Sequence, residues 1–450
     1  MKAKSATIPM TSGSIWKSMV LFAMPIFIGN LFQQMYNTVD SLIVGNYLGS
    51  EPLAAVSSSG SLIFMLVGFL SGVASGAGVV VARFFGAQDT RQVKLSVHTT
   101  VVFGFVMGVF LTIIGVWLSP VILRWMGTPE SVMDNSVAYL RVYFMGSLFS
   151  VMYNVFVGIL QAVGDSRHPL YYLIISSVVN LVLDIVFISF FHMGVEGAAW
   201  ATVISQIISM ALCLIQLLRT EDSYKITVKE LKVDPRILKQ IVSMGLPSGV
   251  QNSIIGFANV VVQSNVNAFG PMAMAGYGVA AKIEGFGFLP ITAFAMALTT
   301  FVGQNLGARE YERTKKAATF GIVAAVLLAE LIGIIVVVFA TPIVSLFDSN
   351  PEVVQFGVEK SQVAGFFYCL LAFSHAVAAV LRGAGKAFIS MMVMIVVWCG
   401  IRVSFLSIFV PLTHNIQFVY WVYPLTWGLS SLFFFFYYRS GRWLKGAINN

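Results

Sequence analysis

Twelve long apolar runs, separated by short polar stretches, constrain this chain more than any other feature of its sequence. Each run provides about 20 residues, the length that an α-helix needs to cross the hydrocarbon core of a bilayer. The chain is 58% hydrophobic and only 10% charged over 450 residues, which excludes an ordinary soluble domain. The runs are continuous and do not alternate, so they predict an all-α polytopic membrane protein rather than a transmembrane barrel. The predicted segments are 16–45, 53–82, 95–119, 137–162, 169–191, 195–218, 237–267, 275–304, 317–344, 357–381, 388–411 and 416–438.

The basic residues are distributed by loop, which predicts the orientation of the segments. The net charge is +8, yet the odd-numbered loops and their edges contain only Arg124, Arg141 and Lys360. The even-numbered loops and both tails hold most of the other Lys and Arg residues, so both termini are expected in the cytoplasm. We therefore expect a multi-pass protein in the cytoplasmic membrane of a bacterium or archaeon, with no nucleic-acid partner.

Segments one to six and seven to twelve are related by an internal repeat with an offset of about 221 residues. Gly86-Ala87 falls on Gly307-Ala308 at this offset. Each copy has six spans, so both copies enter the membrane from the same side, as in transporters built from two parallel lobes. We expect an N-terminal lobe at 1–218, a solvated cytoplasmic linker at 219–236 and a C-terminal lobe at 237–450.

A polar stripe lies inside the first apolar segment. Asn30, Gln33, Asn37 and Asp40 follow one another at helical spacing, so they share one helix face. A charged group in hydrocarbon costs about 3 kcal/mol, so Asp40 is expected to face a wet cavity or a partner. The alternative is a structural polar seam between helices.

A second carboxylate is predicted to lie near Asp40. Asn180 and Asp184 are four residues apart and share a face of segment five, while Thr202 lies in segment six. Counted along their helices at about 1.5 Å per residue, Asp40, Asp184 and Thr202 all fall in the outer half of the same lobe. Two carboxylates with an amide and a hydroxyl can enclose a monovalent cation or share a proton.

The chain resembles the multidrug and toxic compound extrusion (MATE) family over essentially its whole length. The resemblance is carried by the stretch from Gln33 to Gly49, by Leu53-Ala-Ala-Val, by Gly303-Gln-Asn-Leu-Gly-Ala and by glycine-containing turns after segments four and ten. It implies a secondary active antiporter that exports amphipathic, often cationic organic compounds. It implies no enzymatic activity and no cofactor, with H⁺ or Na⁺ as the coupling ion. Because both lobes belong to one chain, a monomer is sufficient for function, and the oligomeric state stays open.

The resemblance also implies roles for individual residues. In the archaeal and DinF-like branch of the family, the coupling-ion site uses residues that match Asp40, Asn180, Asp184 and Thr202 here. Further pocket candidates are Gln34, Asn37, Tyr139 and Asn154.

The second lobe lacks the same acids. When the two repeats are aligned, Asp40 corresponds to Val262, so the coupling site is expected in the N-terminal lobe alone. The intramembrane charges of the C-terminal lobe are Lys282, Glu284 and Arg402. Their depths allow a contact of Glu284 with Arg402 or Lys282 across the lobe, although Lys282 and Glu284 are two residues apart and do not pair directly. A structural ion pair is the favoured interpretation, with a role in substrate binding or conformational coupling as the alternative.

Two other functions compete with an ion-driven exporter. A lipid-linked oligosaccharide or lipid flippase of the same superfamily is expected to line its cavity with several basic residues for a pyrophosphate headgroup. An intramembrane enzyme needs a nucleophile with a base or a metal constellation, and the sequence offers neither. A Walker-type ATP-binding loop is absent from the sequence. The choice between proton and sodium stays open, because the same oxygen ligands serve either ion.

Overall fold

The structure is a computed structural model that describes residues 7–48, 50–126 and 128–448, and these residues contain helices and no strand. They form two compact units. Unit 1 comprises Met1–Ile8 and Ile28–Gly245, and unit 2 comprises Pro9–Phe27 and Leu246–Asn450.

The α-helices follow one another with short connections, which is the pattern of a helical bundle. In the first half of the chain they are α1 (Ile15–Leu48), α2 (Ser50–Gly86), α3 (Thr90–Trp125), α4 (Glu130–Met145), α5 (Ser147–Ala162), α6 (Arg167–Ile185) and α7 (Gly194–Arg219). In the second half they are α8 (Pro235–Asn267), α9 (Pro271–Gly307), α10 (Tyr311–Val338), α11 (Ala340–Ser345), α12 (Pro351–Gly365), α13 (Tyr368–Gly383), α14 (Ala387–Val393), α15 (Arg402–Thr413), α16 (Gln417–Arg439) and α17 (Arg442–Ile448).

The described helices confirm the predicted all-α membrane architecture. Nine of them are long and apolar enough to cross a membrane, and the bent pairs α4 with α5 and α12 with α13 raise the number to eleven. Helix α8 has 33 residues and is more polar than these spans. With α8 as the twelfth, the helices match the twelve predicted segments.

The internal repeat is preserved in the backbone. Outside glycine, a positive φ angle is uncommon, yet Gln88 and Arg309 both adopt one after the second helix of their half. His192 and His414 form a second such pair. The fourth predicted segment of each half is also bent at the same place, by 47° between α4 and α5 and by 53° between α12 and α13. Corresponding turns and bends therefore recur in the two units.

The first helix of each half is divided between the two units close to a proline. Helix α1 changes unit after Phe27, two residues beyond Pro25, and α8 changes unit after Gly245, two residues before Pro247. A proline inside a helix removes a backbone hydrogen bond and clashes with the preceding turn, so it favours a bend at this point.

The stretch between α7 and α8 packs onto unit 1. Tyr224 and Ile226 are only 4% and 3% exposed, and their side chains join a core with residues of α3, α5 and α7. The backbone N–H of Thr227 donates to Nε2 of His98 at 3.1 Å. Burial raises the pKa of Tyr224 to about 12. The expectation that 219–236 is a solvated loop is therefore wrong for Tyr224 and Ile226, because their apolar surfaces fill a gap against α3.

Two glycines permit the close approach of α10 to the bend between α12 and α13. A Cβ atom on Gly333 would lie 2.2 Å from the carbonyl oxygen of Gly365. No side chain fits at this distance, so the two backbones are in direct contact. The contact fixes the position of the bend in unit 2.

We predict that Gly333→Ala lowers the stability of the protein by about 1 to 3 kcal/mol, because the added methyl group must push two helices apart. The matched control is Gly428→Ala in α16, where the new Cβ would lie 3.8 Å from Leu370 in ordinary contact. That control should be neutral or slightly stabilising, since alanine favours a helix over glycine. Thermal unfolding of the purified protein in detergent measures both. Equal stability of the two variants would contradict the close contact.

Candidate functional site

The structure brings together the four residues predicted to couple ion binding to transport, all of them in unit 1. Asp40 is contributed by α1, Asn180 and Asp184 by α6, and Thr202 by α7. Asp184 is completely buried, Asn180 is 2% exposed and Asp40 is half-buried. The polar face of α6 is therefore turned into the bundle, away from lipid.

The four residues form one hydrogen-bonded group. The carboxyl groups of Asp40 and Asp184 hydrogen-bond to each other. In the amide orientation that satisfies both of its atoms, Asn180 donates from its side-chain nitrogen to Oδ2 of Asp184 at 3.2 Å. Its side-chain oxygen accepts from the backbone N–H of Thr202, also at 3.2 Å. Asn180 thus links α6 to α7 and orients one of the two acids.

The remaining oxygens of the site define what it can bind. Oδ1 of Asp40 and Oδ1 of Asp184 are buried and have no hydrogen-bond partner among the described residues. The hydroxyl of Thr202 donates to the carbonyl of Ala198 at 3.1 Å, so its lone pairs stay available. Two carboxyl groups can hydrogen-bond to each other only when a proton lies between them, and without it their charges repel. A proton or a small cation with oxygen ligands satisfies both acids.

Tyrosines and apolar side chains surround the acidic pair. Tyr139 on α4 is 5% exposed, and both it and Tyr36 on α1 interact electrostatically with the two carboxyl groups. A buried apolar cluster adjoins the site about one helical turn from each acid, and it includes Val44, beyond Asp40, and Ile188, beyond Asp184. This low-polarity wall strengthens every charge interaction inside the site.

The other pocket candidates of unit 1 take different positions. Asn154 on α5 accepts a hydrogen bond from Ser71 on α2 at 3.1 Å, so it joins two helices. The backbone carbonyl of Gln34 accepts from the hydroxyl of Thr38 at 3.0 Å. Asn37 is exposed on α1.

Irregular helix geometry adjoins the intramembrane charges in both units. Helix α6 continues beyond Asp184 as a π-helical turn at Val186–Phe190, and a π-helical stretch at Met394–Ile401 leads directly into Arg402. Such turns are rare and are frequent at functional sites. Nothing in the sequence pattern predicts them.

In unit 2 the acid Glu284 pairs with Lys360, and not with Arg402 or Lys282 as considered from the sequence. Glu284 lies on α9 and Lys360 on the neighbouring helix α12, where it is 2% exposed. The ammonium group of Lys360 also lies over the rings of Tyr277 and Tyr423, at 5.1 and 5.2 Å. Lys360 follows an outer loop and lies three residues into the tenth predicted segment, close to the end of the span.

Arg402 is held by other groups of the same unit. It is 1% exposed, and its Nη2 donates to the hydroxyl of Thr426 at 2.7 Å. Its guanidinium lies over the rings of Trp398 and Tyr423, at 5.0 and 4.6 Å. Lys282 is exposed on α9, two residues from Glu284 and on another face. The buried cations Lys360 and Arg402 thus both lie against Tyr423, and the partly buried carboxylate of Glu284 pairs with Lys360.

Glu330 on α10 has a local role. Its Oε2 accepts a hydrogen bond from the backbone N–H of Cys369 at 3.0 Å. Cys369 lies in the first turn of α13, where helical N–H groups lack partners within the helix. Glu330 therefore satisfies one donor that the bend between α12 and α13 leaves open.

Comparison with known proteins places this geometry in context. The MatE family model matches residues 25–186 and 247–408, two stretches with an offset of 222 residues. The "Probable multidrug resistance protein YoeA" of Bacillus subtilis (strain 168) is 31% identical over 434 residues, which cover 95% of this chain and 94% of that protein.

Two solved structures are similar along the whole chain. One, described as "Crystal structure of MATE in the bent conformation", has a TM-score of 0.91 and 26% identity and covers 99% of this chain and 100% of that one. The other, an "Outward-facing conformation of a multidrug resistance MATE family transporter of the MOP superfamily", has a TM-score of 0.90 and 26% identity, with 98% of each chain covered.

We predict that Glu284→Gln destabilises unit 2 by about 3 kcal/mol, because it leaves the ammonium group of Lys360 buried without its counter-charge. Lys360→Met in the same chain removes that charge, so the double variant should regain most of the stability. Thermal unfolding of the three proteins in detergent checks this. If the double variant is no more stable than Glu284→Gln, the pair has no energetic coupling.

Proposed function

The chain belongs to the MatE family, whose members are membrane transporters and not enzymes, and on that premise we propose that it is a secondary active exporter. The proposed substrates are amphipathic, often cationic organic compounds, including drugs. The relatives that carry multidrug resistance in their names support this substrate class. The proposed driving force is the inward flow of H⁺ or Na⁺ through unit 1, in the manner of an antiporter.

The observation that carries the proposal is the buried, hydrogen-bonded pair of Asp40 and Asp184. Such a pair is stable with one proton or one small cation and strongly repulsive without either. Its free energy therefore depends on the occupancy of the ion site. A transporter that couples ion binding to substrate release needs a group with this property.

Ion binding would act on the helices that contribute the acids. Asp40 belongs to α1, and Asn180 ties Asp184 on α6 to Thr202 on α7. Neutralising the acids favours close packing of these three helices, and losing the ion favours their separation. A ligand that binds one arrangement better than the other shifts the population between outward-facing and inward-facing states.

The proposed setting follows the family and the charge distribution. We place the protein in the cytoplasmic membrane with both termini in the cytoplasm, since the Lys and Arg residues concentrate at that end of the spans. Both repeat units belong to one chain, which supports a functional monomer. Assignment to the DinF-like branch rests on the match of Asp40, Asn180, Asp184 and Thr202 to that branch.

A flippase for lipid-linked oligosaccharides is the second candidate considered from the sequence. It would need basic side chains free to bind a pyrophosphate group. Lys360 and Arg402 are both buried. Lys360 pairs with Glu284, Arg402 donates to Thr426, and both cations lie over aromatic rings. This arrangement favours the ion-driven exporter.

We predict that Asp40→Asn and Asp184→Asn each abolish efflux driven by an ion gradient while leaving a folded protein. The asparagine side chain keeps the shape of the acid but cannot take up and release an ion. Efflux of a fluorescent organic cation from vesicles with an imposed gradient measures the effect. Asp134→Asn, an exposed acid on α4, is the matched control and should transport normally. Full activity of both site variants would refute the coupling role.

The same vesicles can separate the two coupling ions. A pH gradient and a Na⁺ gradient are imposed separately at constant membrane potential. We expect that only one of them drives efflux. If Na⁺ drives transport, Asn180→Leu should weaken it more than tenfold, because a carbonyl ligand is lost from the site. Efflux that is unaffected by removing both gradients would contradict secondary active transport altogether.

A further inference from the structure

A cavity of about 680 Å³ lies in unit 2 and is lined by none of Lys282, Glu284, Lys360 and Arg402. Its walls come from the start of α1 and the start of α10 together with the residues that precede them. The lining includes Trp16, Glu310, Arg313, Lys316 and Phe320. All of these residues belong to unit 2, so the cavity is a feature of this unit alone.

Arg313 builds one wall of the cavity by fixing the residues before α1. Its guanidinium donates to the carbonyl of Met10 through Nε at 3.2 Å, to Ser12 through Nη2 at 2.9 Å and to Gly13 through Nη1 at 2.8 Å. The buried side chain of Asn305 donates to the same carbonyl of Met10 at 3.1 Å. The wall is therefore held by specific bonds. Backbone carbonyls satisfy the donors of Arg313 but carry no formal charge, so its positive charge remains.

Lys316 adds a second positive charge to the cavity. It is exposed, and it forms no hydrogen bond or ion pair with the residues that the structure describes. The nearby acid Glu312 instead binds Lys315, whose ammonium group lies 2.7 Å from it. Glu310 is the one acid in the described lining. Two cations against one carboxylate leave the cavity with net positive charge.

The same cavity has an apolar side. Trp16 is 58% exposed at the start of α1, and Phe320 is 37% exposed on α10. Phe320 lies four residues after Lys316, so the two side chains share a helix face, with the cation nearer the helix end. Tryptophan is enriched where a membrane protein meets the headgroup layer. A charged end followed by an apolar face has the polarity of a phospholipid.

The position of the cavity along the spans is consistent with a lipid ligand. It lies at the ends of α1 and α10 where basic residues accumulate, which the positive-inside rule predicts to be cytoplasmic. Anionic lipids are enriched in the cytoplasmic leaflet, and basic pockets between helices on that side bind phosphate headgroups. The N-terminus of α10 also favours an anion at this place.

We propose that this cavity binds the headgroup of an anionic membrane phospholipid. The phosphate pairs with the ammonium group of Lys316 and is attracted by the positive charge of Arg313, whose N–H groups hold the backbone carbonyls before α1. The acyl chains lie along Phe320 and Trp16. A lipid bound in the cavity would hold the residues before α1 against α10, because it contacts both. This inference is independent of the substrate and of the coupling ion proposed above.

The test compares lipid binding by the full-length protein and two single variants. The protein is purified in an uncharged detergent and titrated with phosphatidylglycerol or phosphatidylcholine, and bound lipid is counted by native mass spectrometry. We expect phosphatidylglycerol to bind at least fivefold more tightly than phosphatidylcholine. Lys316→Gln should weaken phosphatidylglycerol about fivefold, the effect of removing one basic residue near an anionic headgroup.

Lys315→Gln is the matched control, because Lys315 is the adjacent residue on α10, is bound to Glu312 and does not line the cavity. It should keep the affinity for phosphatidylglycerol, and Lys316→Arg should keep it as well. Thermal unfolding without lipid verifies that each variant is folded. An equal loss of phosphatidylglycerol affinity in both glutamine variants would show that the lipid is attracted by the general surface charge and not by the cavity, and it would overturn the proposal.

A further titration distinguishes a lipid from a soluble anion. Inorganic phosphate and glycerol 3-phosphate at millimolar concentration should leave phosphatidylglycerol bound, because they lack the acyl chains that contact Phe320. Displacement of the lipid by either compound would identify a small-anion site instead. Equal binding of phosphatidylglycerol and phosphatidylcholine would also contradict an anionic-lipid site.

Discussion

The repulsion between two carboxyl groups buried in one bundle is the constraint on which unit 1 depends. Asp40 and Asp184 lie together in surroundings of low polarity, where like charges interact far more strongly than in water. Such a pair is costly without a proton or cation, which is why we propose that an exchangeable ion controls the packing of α1 against α6. Asn180 supports the arrangement by donating to one acid and anchoring itself on the backbone of α7.

The two units share a backbone plan but differ in electrostatics. Corresponding turns have the same unusual φ angles, and the fourth predicted segment of each half bends by about 50°. Within the described residues, the acid pair of unit 1 forms no salt bridge, whereas unit 2 pairs Glu284 with Lys360 and holds Arg402 against aromatic rings. A charge with a permanent partner responds little to ions. The asymmetry supports the proposal that unit 1 responds to ions, whereas the paired charges of unit 2 form a fixed polar core.

Several residues illustrate how far a sequence can be interpreted. Asp184 and Asn180 could be placed on one helix face because their spacing of four residues fixes their relative direction in any α-helix. The partner of Glu284 could not be found in this way, because Lys360 lies 76 residues away and spacing carries no information between helices. Tyr224 and Ile226 were expected in a solvated loop because most of their neighbours in the sequence are polar or charged. In the structure both side chains are buried in a core with residues of α3.

The sequence by itself determined the membrane-spanning helices, the repeat and the residues proposed to bind an ion, because hydrophobic length and helical period are local properties of the chain. Only the tertiary structure decided which charges meet, where the π-helical turns lie and how Arg313 holds the residues before α1. Those features depend on the rotation and depth of each helix against its neighbours. Packing between distant segments sets both, and no local pattern of residues encodes them.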